Sequence, residues 1–180
     1  MERFSQKFKE IFSSQLVSIF GGLIAGTFLA VYTDELLMIP GMLILIPGFL
    51  EMRGNISGSL ASRITSGLFL GIVSPNKVHT KLVRGNIYAS FVLVMIVSFA
   101  LGILACLFNF ITLGIFTPKI IIVPIVAAVM SSLIEIPITI TATFYLFRKG
   151  HDPNNIIGPL VSSTGDVTSI LSLIIAMVIL

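Results

Sequence analysis

Long apolar runs recur along the whole chain, each ended by turn-forming or charged residues. The first covers about 14–33 and closes on Asp34 and Glu35. A second, about 36–70, is broken by Pro40-Gly41 and Pro47-Gly48. It then carries Glu51-Met52-Arg53-Gly54-Asn55 and a small, polar stretch to Ser66. Three more cover about 84–108, 119–147 and 153–180; Pro124 and Pro137 lie inside the fourth, and Asp152-Pro153 opens the fifth. At ~1.5 Å per residue, a helix of ~20 residues crosses a ~30 Å hydrocarbon core. The pattern therefore predicts an all-α integral membrane protein of about five transmembrane helices, one domain over 1–180. Ahead of the first run, Phe4, Phe8, Ile11 and Phe12 share one helical face, with Arg3, Lys7, Lys9 and Glu10 on the other. Residues 1–13 thus read as a short amphipathic helix, either lying at the membrane interface or starting the first span. The Gly22-to-Gly26 step is a GxxxG spacing, which lets another helix approach closely.

Composition agrees with the pattern. Hydrophobic residues make up 56% and charged residues 11%, against about 25% charged in soluble domains. The mean hydropathy is +1.07. Cys106, the single cysteine, lies inside an apolar run, where it forms no intrachain disulfide and no metal motif. The net charge of +3 is modest, and its placement is more informative. Arg3, Lys7 and Lys9 precede the first span; Lys77, Lys81 and Arg84 join the second to the third; Arg148 and Lys149 join the fourth to the fifth. The other two connections carry Lys119 alone. This alternation predicts a cytoplasmic N-terminus and an external C-terminus, in a multi-pass protein of the cell membrane. The first run is too long for a signal peptide and lacks a small-residue cleavage site. No phosphate loop, HExxH or Ser/His/Asp set is present, so the chain does not read as an enzyme, and its basic residues are too scattered to bind nucleic acid. No half is repeated within the chain, so a symmetric pathway requires a second copy.

A charge at the bilayer centre costs ~2.5–3.5 kcal/mol on insertion scales. Each polar group inside these runs therefore needs a reason. Asp166 stands near the middle of the fifth span among Ser162, Ser163, Thr164, Thr168 and Ser169. Ser162, Asp166 and Ser169 share a face by i+4 and i+3 spacing, and no Arg or Lys is expected at that depth. A carboxylate with hydroxyls and carbonyls is the oxygen chemistry of a hard cation. Glu51, Asn55, Ser59 and Ser62 share a face of the second span; for Asn55, helix-to-helix hydrogen bonding competes with a role toward an ion. Arg53 is expected to pair with Glu51 or Glu135, and Arg63 to snorkel to the membrane surface. Ser131, Glu135, Thr139 and Thr143 make a stripe on the fourth span, read as pore lining or as packing. Asp152 is a natural N-cap ahead of Pro153 and also a candidate carboxylate at the cytoplasmic mouth. His79 and His151 read as ordinary interface residues. The candidate metal ligands are thus Asp166, Ser162, Ser163, Asn55, Glu51, Glu135 and Asp152, with Ser59, Ser62, Thr139 and Ser169 lining a pore. The competing readings are a scaffold whose polar residues only join helices, and an intramembrane enzyme using Asp166 with Glu135.

Two segments, PGFLEMRGNISGSLASRITS from Pro47 and DPNNIIGPLVSSTGDV from Asp152, together resemble the MgtE family of magnesium channels, and more closely its solute carrier family 41 relatives. The matching residues are Arg53-Gly54-Asn55, Leu60-Ala61-Ser62-Arg63, Asp152-Pro153, Pro159, Ser162-Ser163 and Asp166. The resemblance implies a homodimer in the lipid bilayer, with an ion path between its second and fifth spans and Asp166 holding a hydrated Mg2+. Other divalent cations fit the same chemistry. Channel action and exchange coupled to Na+ both stand as readings. The resemblance also implies a single transport half without the cytoplasmic sensing region of the bacterial channels, since only residues 1–13 precede the first span. Glu51 and Ser57 depart from the family pattern, which leaves the ligand set open at those two positions.

Overall fold

The computed structural model describes residues 2–180, with side chains described from Ser5 onward except that of Gln6. Arg3 and Phe4 of the amphipathic face therefore lie outside the described side chains. Every element is a helix: α1 (Glu2–Val31), α2 (Thr33–Leu37), α3 (Met42–Phe69), α4 (Lys81–Leu113), α5 (Lys119–Arg148) and α6 (Pro153–Ile179). Residues 2–13 are continuous with the first span, α1 running unbroken from Glu2 to Val31. No glycine or proline stands before Gly21 to interrupt it.

Among the described residues, four segments are long and apolar enough to cross a membrane: Lys7–Val31, Lys81–Leu113, Lys119–Arg148 and Pro153–Ile179. The second expected span, α3, is not among them. Its 28 residues suffice in length, but Glu51, Arg53 and Arg63 dilute its apolar content. It also starts later than the apolar run suggests. Gly41 takes φ +89 and turns the chain between α2 and α3. A Cβ there would sit 2.6 Å from the Asn109 amide. Asn109, buried on α4, donates to the Ile115 carbonyl at 2.9 Å and so holds the α4–α5 connection against that turn.

In the bundle, α3, α5 and α6 pack against one another, α4 lies on α3 and α5, and α1 lies along α6. Gly102 lets α4 approach the α5 backbone, where an added Cβ would meet Ile121 at 2.8 Å. The α1–α6 contact is parallel: Glu10 meets His151, Ser14 meets Asn155, and Gly21 meets Ser163. Proline explains one of these bonds. Pro159 has no N–H, so the carbonyl four residues back, at Asn155, loses its helical donor. The Ser14 hydroxyl donates to that carbonyl at 3.1 Å. Close approach uses Gly21, not the GxxxG pair, since Gly22 and Gly26 have nothing within 4 Å.

Among the described residues three apolar clusters hold the bundle, the smallest joining Ala61 of α3 to Ile157 and Val161 of α6. One gathers Leu45, Phe49, Val123, Ala127, Ile170 and Leu173 from α3, α5 and α6. Another gathers Leu60, Ile64, Val83, Ile140 and Phe144 nearer the opposite end of α3. Between these last two lies the polar middle of α3, α5 and α6.

Candidate functional site

The middle of α3 presents two polar faces. Its side chains advance 100° per residue, so residues two apart point nearly opposite ways. Glu51, Asn55, Ser59 and Ser62 are all exposed, on the face the sequence pattern assigns them. Arg53 and Ser57 are buried on the other.

The exposed face meets α6 in a groove. Pro47, Leu50, Glu51, Gly54, Asn55, Ser162 and Asp166 line a cavity of about 460 Å³. The Asn55 amide donates to Glu51 at 3.0 Å, which holds that carboxylate in place. Gly54 lets the helices close up, and a Cβ there would stand 3.8 Å from Ser162 Oγ. Asp166 is half-buried and Ser162 exposed. Among the described residues, no group of three or more His, Cys, Asp or Glu is placed to hold a metal ion. The chain therefore offers two carboxylates, an amide and a hydroxyl on an open wall, which suits a cation that keeps its water and not a stripped ion in a closed cage.

The buried face meets α5. Arg53 donates to the Glu135 carboxylate and, at 2.8 Å, to the Ser132 hydroxyl. The pair is sealed, with side-chain exposures of 1% and 0%. This settles Arg53's partner: Glu135, not Glu51. It also corrects the expected depth, because Arg53 does lie near the level of Asp166 but points away from it.

Several expected site residues accordingly lie elsewhere. Glu135 and Thr139 are fully buried inside the bundle, off the groove, with Glu135 already matched by a guanidinium. Ser163 is buried against Gly21 of α1. Ser169 is fully buried, one turn beyond Asp166, where α6 enters the apolar cluster with Leu45 and Phe49. Asp152 caps α6 by accepting from the Asn154 N–H at 3.0 Å. It stands about 21 Å along the helix from Asp166. Ser59 and Ser62 continue the exposed stripe beyond the groove, and Arg63 reaches Ser90 at 3.3 Å. The spacing pattern did not single out Ser132 and gave Gly165 no role of its own. Glycine immediately before Asp166 was the available signal for the second.

Residues 46–176 match the MgtE divalent cation transporter family, a span that contains the groove and the buried pair. Solute carrier family 41 member 2 of Gallus gallus is 25% identical over 161 residues, covering 86% of this chain. The chain spans about 28% of that relative's length. These are transporters and not enzymes, and the present chain, a multi-pass membrane protein, belongs to the MgtE family of divalent cation transporters.

Proposed function

We propose that the chain carries Mg2+ across a cell membrane along the α3–α6 groove, completed by a second copy of itself. In this reading α1, α3, α4, α5 and α6 are the five spans, with the N-terminus cytoplasmic and the C-terminus outside. The carrying observation is the groove, where Glu51 and Asp166 sit at mid-helix on an open polar wall. Polar groups at that depth are not left facing lipid, because hydrocarbon offers them no hydrogen bonds. A second copy placed face to face would cover both walls and bring four carboxylates to one path. Size agrees with a hydrated ion. Six waters at ~30 Å³ each occupy roughly 180 Å³, well within the cavity of about 460 Å³.

Asp166 is assigned the central ligand role, with Ser162, Asn55 and Glu51 supporting it and Ser59 and Ser62 lining the approach. Glu51 gives the groove a second carboxylate and so a place for Na+. Dependence of uptake on a sodium gradient would mark an exchanger, and its absence a channel. The deciding experiment is Mg2+ uptake into proteoliposomes, wild type beside Asp166→Asn. Wild-type uptake is expected, and the variant should lose most of it while remaining a dimer. Equal uptake by both would remove α6 from the path.

A further inference from the structure

We infer that Arg53 and Glu135 are positioning residues that set the separation and rotation of the groove walls. The inference rests on the pathway proposed above for its function, but its geometry stands apart from it. One carboxylate touches both wall helices. Through one oxygen, Glu135 is tied to Arg53 on the back of α3. Its other oxygen faces α6 at Gly165, where an added Cβ would fall 2.6 Å from it. Arg53 stands two residues from both Glu51 and Asn55, and Gly165 immediately precedes Asp166. Any shift of the pair therefore turns groove side chains on both walls.

Charge assigns the pair its part. Arg53 and Glu135 cancel, so they add nothing to the charge that a cation meets in the groove. Glu51 and Asp166 remain unmatched by any lysine or arginine there. The pair is also closed off, since Glu135 is fully buried. An ion approaching Glu135 would meet the positive guanidinium bound to one of its oxygens. Glu135 thus acts on the cation through Gly165 and Arg53, without touching it.

The test uses two perturbations that leave groove charge unchanged. The double variant Arg53→Met, Glu135→Leu removes a neutral pair and refills its volume. Gly165→Ala keeps both charges but pushes the carboxylate off α6. Wall geometry is read directly, in a Cys106→Ala background, by intrachain cross-linking of Asn55→Cys to Ser162→Cys with short bifunctional thiol reagents. Mg2+ uptake is measured in parallel without the added cysteines. Both perturbations should slow cross-linking about tenfold. Both should raise the half-saturating Mg2+ concentration roughly tenfold to a hundredfold, with folding and dimerisation kept. Cross-linking within twofold of the parent in both variants would overturn the inference, whatever uptake does. Altered cross-linking with half-saturation unchanged would overturn the positioning role. If uptake also survives Asp166→Asn, the pathway falls while the geometric claim is decided by cross-linking alone.

Discussion

Removing one member of the buried pair should cost far more than removing both. Arg53 lies 11 residues into α3 (Met42–Phe69) and Glu135 lies 16 into α5 (Lys119–Arg148). Both are therefore about 16–24 Å from any helix end, and neither can reach bulk water by a change of rotamer. In Arg53→Met the Glu135 carboxylate stays at 0% exposure with its partner gone. Breaking a buried pair in this way costs ~3–5 kcal/mol, whereas replacing both members by apolar groups of similar volume is often neutral or stabilising. At roughly 2–4 °C per kcal/mol for a chain of this length, the single variant should melt on the order of 10 °C lower. The double variant, Arg53→Met with Glu135→Leu, should melt near wild type. The protein supplies its own probe. Cys106 is its single cysteine and is buried, so a thiol-reactive fluorogenic dye reports unfolding in detergent. A single variant as stable as wild type would mean that the charges are not sealed. A double variant as unstable as the single would mean that lost packing, not an orphaned charge, is the cause.

Two further outcomes follow from particular contacts. Gly22→Ala should hold or raise the melting midpoint, since it gains up to ~1 kcal/mol of helix propensity and its Cβ meets nothing within 4 Å. Gly21→Ala should lower it, because its Cβ would fall 2.3 Å from that of Ser163; equal effects would dissociate α1 from that contact. Asp152→Ala should lose the α6 cap and about 1 kcal/mol, while Asp152→Ser should keep the cap, the stability and the uptake. Loss of uptake in the serine variant would show that the charge at the helix start serves the ion.

How the polar residues divide explains what could be read early. The face of α3 bearing Glu51, Asn55, Ser59 and Ser62 followed from spacing alone, and all four are exposed together. The same arithmetic put Ser162, Asp166 and Ser169 on one face of α6, yet Ser169 is fully buried and only the first two reach the groove. Periodicity gives an angle around a helix, but burial depends on what stands opposite, and that changes from turn to turn. Glu135 and Thr139 show the same limit. Their stripe is real, but α3 and α6 close over it.

Local chemistry is what the sequence determined by itself. Apolar run length set the helices, Asp152-Pro153 set the start of α6, and Pro40-Gly41 marked the break ahead of α3, whereas Pro47-Gly48 sits inside α3 without interrupting it. Tertiary structure decided every question of partnership. It gave Arg53 to Glu135 instead of Glu51. It chose Gly21 over the Gly22 and Gly26 pair for the approach of α1, and it supplied Ser14 to the carbonyl freed by Pro159. Each of these joins residues tens of positions apart. Hydrogen bonding and close packing select among such partners only once the helices have met, because their energies fall away within a few ångströms.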